Sequence, residues 1–273
     1  MAISNFLPEL WEAQTLMRWE NEKVFPALLD RHYEGIATRG NTVNITGVVA
    51  PSIKDYSAAG RTTSADAITD TTVQLLIDQE ENFDFFVDDV DRTQAAGSLE
   101  DYTNGAADAL AESADQFIAS MLVTNGDVLA YTDLTTGDHA FDAFVLARKT
   151  LNINKAPSGG RVAVINAEFE ALLLKAASKL TSVETSGDNN GLRRATIGQL
   201  LNFRVVTSNN LPTSDQPQAV FFHPSAAAYV SQLDRVEALR ADTRFADRIR
   251  GLHVFGGKVV RSSGVLVFNE LGT

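Results

Sequence analysis

Ser98-Leu-Glu-Asp-Tyr-Thr-Asn-Gly-Ala-Ala-Asp-Ala-Leu-Ala-Glu-Ser-Ala-Asp-Gln-Phe-Ile-Ala-Ser-Met-Leu-Val-Thr124 is the longest stretch of the chain that keeps a single period. Leu99, Tyr102, Ala106, Leu110, Ala114, Phe117 and Met121 recur every three or four residues, so one face of a helix is apolar along its whole length. Ser98 is a good N-cap and Asp101, three residues on, completes a start that resembles a capping box. The acids Glu100, Asp101 and Asp108 come early, where the helix dipole favours them, and Asn125-Gly126 supplies a stop. Gly105 is the one residue that weakens the pattern. The spacing predicts a helix over 98–124, about 40 Å long at 1.5 Å per residue. That is a strut, well beyond the usual helix of a globular domain.

Upstream of the strut the period changes to two. Thr42-Val-Asn-Ile-Thr46 alternates, residues 50–72 are rich in Ser, Thr, Ala and Asp, and Val73, Leu75, Ile77, Phe83, Phe85 and Val87 alternate again. The pattern predicts a long two-stranded excursion, out along 42–56 and back along 70–90. A lone ribbon of that length is marginal in water, so it needs another surface beneath it. Residues 1–40 carry Leu10, Trp11, Leu16, Met17, Trp19, Val24, Phe25 and Leu28 without one clean stripe, and read as a short helix followed by an extended arm. Such an arm also needs a surface to cover its aromatics.

Downstream, helical and strand signals interleave. Phe141 to Leu151 and Ala167 to Leu180 read as helices, with Arg161-Val-Ala-Val-Ile165 as a buried strand between them. A polar loop over 181–191 is followed by a short helix near Thr196 to Leu201, then strands at Phe203–Thr207 and Ala219–Phe222. Pro224-Ser225 opens a further helix through Leu233, and residues 234–250 are a balanced charged stretch. Leu252–Phe255, Lys258–Arg261 and Val265–Phe268 read as closing strands with Gly256-Gly257 at a turn. The class is α+β, with a compact unit over 138–233.

The chain has 273 residues, 44% of them hydrophobic, which is ample for one large core or two modest ones. Its net charge of −12 opposes long-range attraction to phosphate backbones, so a free-standing nucleic-acid-binding module is not expected. The charge is uneven. Residues 41–100 hold 11 acids and 3 bases, whereas residues 193–261 hold 10 bases and 5 acids, so copies of the chain could attract one another. No apolar run is long enough to span a membrane, and Met1 to Glu9 lacks the basic and apolar regions of a secretion signal. With 0 cysteines, disulfides, thiol nucleophiles and thiolate metal sites are excluded.

Catalytic signatures are missing. His32, His139, His223 and His253 lie far apart in sequence, so they form no local metal pair. There is no Gly-x-Ser-x-Gly elbow, and Gly251 to Lys258 fails as a phosphate loop because Val259 stands where a magnesium-binding Ser or Thr should be. Asp88-Asp89-Val90-Asp91 is the best carboxylate cluster, but it lacks the glycine that a calcium loop needs for its turn, and a solvated strand end is the preferred reading. Gly187-Asp-Asn-Asn-Gly191 reads as a loop tip rather than a cation site. No metal site, cofactor or enzymatic activity is therefore expected.

Several segments, in this order, are similar to the major capsid proteins of tailed bacteriophages with the Hong Kong-type shell fold. Ser4-Asn-Phe-Leu-Pro-Glu-Leu-Trp11 with Tyr33-Glu-Gly35 resembles the family's N-terminal arm. Gly40 to Ile45, Lys54-Asp-Tyr56, Leu75 to Gln79 and Phe85 to Asp91 resemble its extended loop, and 98–124 its spine helix. Leu201-Asn-Phe-Arg-Val-Val-Thr-Ser-Asn-Asn-Leu-Pro212 is similar to a segment of its axial domain, with Asn202 in place of the usual glycine. The resemblance implies an arm at 1–40, an extended β-hairpin loop at 41–95, a peripheral domain from 96–137 and 234–273, and an axial domain at 138–233. It also implies self-assembly through pentamers and hexamers into an icosahedral shell around double-stranded DNA, held without sequence-specific binding and without a membrane.

Scaffolding, portal and possible decoration proteins would be partners, and the subunit would pass from the host bacterial cytoplasm into the virion. Inter-subunit contacts are expected at Lys54, Asp78, Asp84, Asp88, Asp89, Asp91, Arg244, Arg248 and Arg250, the acidic loop of one copy resting on the basic stretch of the next. Lys54 lies in the region where some relatives crosslink, although no partner asparagine can be named. Two other readings remain: a bacterial nanocompartment shell of the same fold, and a soluble acidic metal-dependent enzyme using residues 88–91.

Overall fold

The computed structural model describes residues 23–34, 41–48, 52–58, 60–63, 70–88, 99–129, 137–174, 198–213, 215–241 and 245–269. Most of the arm, the loop over 181–191, and Asp89, Asp91 and Arg244 lie outside the described residues.

The core is organised by a six-stranded mixed sheet of order β4-β11-β8-β5-β7-β6. Its strands are β4 (Asp127–Val128), β5 (Arg161–Ile165), β6 (Gln199–Leu200), β7 (Phe203–Thr207), β8 (Gln218–Phe222) and β11 (Val265–Asn269). Every residue of β5 and β8 is buried, because the sheet is covered on both faces, and strands covered on both faces read as continuous apolar runs. Alternation sends Val162, Val164, Val220, Phe222, Val265 and Val267 to one face and Ala163, Ile165, Ala219, Phe221, Leu266 and Phe268 to the other.

The first face packs against the strut, α2 (Leu99–Asn125), through Ala114, Ile118, Ala119 and Leu122. The second packs against α3 (Gly137–Ile153) and α4 (Ala167–Leu173), where Phe144 stands edge-on to Phe203 and Phe221 with ring centroids 5.9 and 4.8 Å apart. Below the end of α3 the buried guanidinium of Arg161 donates to the Pro157 carbonyl (2.7 Å), the Ala156 carbonyl (2.8 Å) and Asn152 Oδ1 (2.8 Å). Its charge is thus surrounded by acceptors where the helix ends.

A second sheet has the order β3-β10-β9, built from β3 (Gln79–Asp88), β9 (Ala227–Arg240) and β10 (Ala246–Val259). A third unit is the hairpin of β1 (Thr42–Val48) and β2 (Asp70–Leu76), in register from Thr42↔Leu76 to Val48↔Asp70. A single helical turn, α1 (Phe25–Leu28), lies against α2.

Five expectations are corrected here. The return strand of the excursion is not continuous: β2 ends at Leu76, and after Ile77-Asp78 the chain enters a different sheet, where β3 pairs with β10. The helix expected after Pro224-Ser225 is a 3-10 turn of three residues followed by β9, because Ala227, Ala228, Tyr229 and Val230 are all buried and pair with β10. Sheet pairing here overrides a good local helix start. The charged stretch 234–250 is the outer half of the β9–β10 ribbon, and Gly256-Gly257 run inside β10, with no turn there. Near Leu201 there is no helix; Leu201 (φ +47°) and Asn202 (φ +70°) make the tight turn between β6 and β7. Finally, the segment 234–273 does not stay together, since β11 pairs with β8 in the six-stranded sheet.

Candidate functional site

The hairpin is held to the body at its base. Val43, Ile45, Leu75 and Ile77 pack on Ala228 and Val230, and Ile77 N–H donates to the Asn41 carbonyl at 2.8 Å. At this crossing β10 carries Gly256. A Cβ there would fall within 3 Å of the Leu76 carbonyl group and 2.8 Å from Ile77 Cα, so only glycine lets the two backbones approach. Gly257 next to it faces Met121 of α2.

Far from this base, the tip is shaped locally. Asp55 Oδ1 accepts the Ser57 and Ala58 N–H groups at 2.8 and 3.2 Å, and Gly60 and Arg61 follow with φ +65° and +60°. On that tip Ile53 is 101% exposed and Tyr56 55% exposed. A formed loop with large apolar groups in solvent presents a contact surface.

The arm enters the body through a carboxylate. Asp115, buried in the middle of α2, accepts the N–H groups of Val24 (2.9 Å) and Phe25 (2.8 Å) on Oδ1 and the Asn210 side-chain amide (2.8 Å) on Oδ2. Burial pushes its pKa above the ordinary carboxylate value, and the three donors pull it part of the way back. Lys23 pairs with Asp108 one helix level away. Further along, Asp30 bridges β9 (Asp30 N–H to the Ala227 carbonyl, 3.3 Å; Tyr229 N–H to the Asp30 carbonyl, 3.1 Å), and Ser231 N–H reaches Glu34 Oε1 at 3.4 Å. Segment 23–34 is thus tied to helix α2 and to strand β9 of its own chain.

The expected acid–base attraction exists, but within one chain. Arg248 grips Asp84 with Nε at 2.9 and 3.0 Å from its two oxygens, plus a shorter Nη2 contact, while its guanidinium carbon sits 5.6 Å from the centre of the Phe86 ring. Arg250 donates to Glu237 at 3.2 and 2.7 Å, and Arg235 reaches the other Glu237 oxygen at 2.7 Å. These hydrogen bonds hold Asp84 and Glu237 below the usual carboxylate range, chiefly through Arg248 and Arg250. Asp78 lies exposed at the crossing, Lys54 exposed on the tip, and Asp88 at the last pair of β3, opposite Ala246.

The charge assignment changes with the strand boundaries. Between residues 41 and 76 only Asp55, Asp66 and Asp70 oppose Lys54 and Arg61, so the hairpin is close to neutral. The acids counted with it belong to β3 and the approach to α2.

Asp115 and Gly256 were not singled out from sequence. The signal for Asp115 was present: it lies three residues before Ile118 and seven before Leu122, on the apolar stripe. Among the described residues no group of three His, Asp or Glu side chains could hold a metal ion, and no helix is long and apolar enough to cross a membrane.

Residues 81–268 match the family of phage capsid proteins. A solved chain from Mycobacterium phage Che8 is 58% identical, with 100% of both chains covered and a TM-score of 0.93. The capsid of the cyanophage P-SCSP1u shares the fold at 17% identity, with 97% of this chain and 92% of that one covered and a TM-score of 0.80. A virus-like particle from Pyrococcus furiosus has the same fold at 12% identity, with 84% and 86% covered and a TM-score of 0.56. No curated protein matches the sequence. An unsupported ribbon and a strapped arm are costly in a monomer and useful in a lattice of copies, and the chain belongs to the phage capsid protein family: it is the major capsid protein that forms the shell of a tailed bacteriophage, a structural component of the virion and not an enzyme.

Proposed function

We propose that copies of this chain join as pentamers and hexamers into a closed icosahedral shell around double-stranded DNA, with the hairpin as the element that bridges one subunit to the next. The exposed tip at Ile53 and Tyr56 carries this reading, because it is shaped by its own hydrogen bonds yet buries no apolar surface in its own chain. The spine helix α2 with the β3-β10-β9 sheet forms the peripheral part of the subunit, and the region between residues 138 and 233 the part around the capsomer axes. A wall with net charge −12 does not hold the genome tightly, which favours packing and release. Before assembly the subunit resides in the host bacterial cytoplasm, and scaffolding and portal proteins guide its closure, with decoration proteins on the finished surface.

The test is to replace residues 50–69 by a two-residue turn and compare the product with the full chain by sedimentation and electron microscopy. The full chain should form closed particles, and the shortened chain should stay as soluble subunits with unchanged circular dichroism from the body. Closed particles from the shortened chain would overturn the bridging role.

A further inference from the structure

The two ends of the β3-carrying excursion differ in a way that suggests a specific partner for the tip. β2 brings the chain from the tip to the Gly256 crossing, and β3 then carries it to the far end of the three-stranded sheet. At that far end Phe86 of β3 and Leu239 of β9 flank Arg248 in one cross-strand row and are 51% and 44% exposed, and Phe245 in the β9–β10 turn is 82% exposed. Asp88 stands next to them at the end of β3, and Asp89 and Asp91 follow it in sequence. The tip carries the complement: apolar Ile53 and Tyr56, with cationic Lys54 and Arg61.

We propose that the tip of one copy docks on the far end of the β3-β10-β9 sheet of a second copy, Ile53 and Tyr56 lying against Phe86, Leu239 and Phe245 while Lys54 and Arg61 face Asp88. This rests on the bridging role of the hairpin and reverses the sign first expected of it, since the tip is cationic and its seat anionic. Ile53 is fully exposed in its own chain, so the contact is not made intramolecularly. The Asp84–Arg248 and Glu237–Arg250 pairs satisfy the charges in the middle of the sheet face internally, which leaves the end to receive the partner. A contact between two unlike patches is heterologous, and heterologous contacts propagate around rings instead of stopping at a dimer.

Because the chain has 0 cysteines, two introduced ones report the contact without background. Particles of Ile53→Cys/Leu239→Cys should give, on mild oxidation, a ladder of covalent multimers on a non-reducing gel. Ile53→Cys/Val145→Cys, with the second cysteine on the exposed face of α3, should give at most a tenth of that signal. Separately, Lys54→Glu should lower the assembled fraction at fixed protein concentration, and Lys54→Glu/Asp88→Lys should recover most of it. Particles that form with no more linkage in the first pair than in the control would overturn this seat while leaving the bridging role intact. Failure of the parent chain to form any particle would strike the bridging role itself.

Discussion

The Asp115 carboxylate accepts the backbone N–H of Phe25 at 2.8 Å, joining two residues 90 positions apart inside the molecule. With Val24 N–H and the Asn210 amide on the same group, helix α2 holds both the entry of the arm and the loop after β7 through one side chain.

Replacing Asp115 by Asn keeps the shape but sets one amide N–H2 against another at Asn210. The expected cost is about 1–3 kcal/mol, the penalty for a buried polar group left unmatched. Chemical denaturation should read this loss, and limited proteolysis should show faster cleavage over residues 23–34. The exchange Asp115→Asn/Asn210→Asp restores a donor opposite an acceptor and should recover part of the stability. If the single variant is as stable as the parent, the node does not hold the arm.

Three glycine-to-alanine changes should separate by position. At Gly256 the added methyl meets backbone of Leu76 and Ile77, which has no room to give, so the hairpin base must lift and the assembled fraction should fall sharply. At Gly257 the neighbour is the flexible Met121 side chain, and the loss should be small. At Gly105 nothing lies within 4 Å, so alanine should stabilise α2 by about 0.5–1 kcal/mol. Melting temperature and sedimentation, measured on all three, check the order.

The β6–β7 turn tests a left-handed position. Asn202 sits at φ +70° and donates to the Ser158 carbonyl. Asn202→Gly exchanges that hydrogen bond for an unstrained backbone and should change stability by less than about 0.5 kcal/mol. Asn202→Val, a β-branched residue in the same conformation, should cost about 1–2 kcal/mol. Equal melting temperatures for the two would refute the turn conformation.

The carboxylates respond to acid with opposite signs. Asp84 and Glu237 are held below their usual values of 3.8 and 4.5, so the stability they contribute is present above those values and is lost as pH falls through the lowered ones. Asp115 is raised above 3.8; its share is fully present below that value and disappears as pH rises through the raised one. Denaturation midpoints measured from pH 7 to pH 3 should therefore fall less steeply in Arg248→Met, where Asp84 no longer has its partner, than in the parent. Both Asp84 and Arg248 are solvent-exposed, so added salt should narrow the difference. A profile unchanged by Arg248→Met would show that the pair does not contribute.

Much of the architecture was legible before any coordinates. The strut expected over 98–124 is Leu99–Asn125, and the strands at 161–165, 203–207 and 219–222 stand where their apolar runs predicted. These elements carry their own signal, because a helix stripe and a doubly buried strand are both written in consecutive residues. The strand β9 was hidden for the opposite reason: Pro224-Ser225 followed by Ala227-Ala-Tyr-Val230 looks like a helix start, and only pairing with β10 makes it extended.

The division between the two kinds of information follows from range. Residue type and spacing alone determined the strut, the doubly covered sheet strands, the missing catalytic chemistry and a ribbon and arm that lack surfaces of their own. Which acid meets which base, where the ribbon leaves the body, and that Gly256 and Asp115 are the points of attachment were decided by the tertiary structure. Such contacts join residues 90 to 180 positions apart, as in Phe25–Asp115 and Leu76–Gly256, and their partners are chosen by how whole strands and helices pack. No local period records that choice.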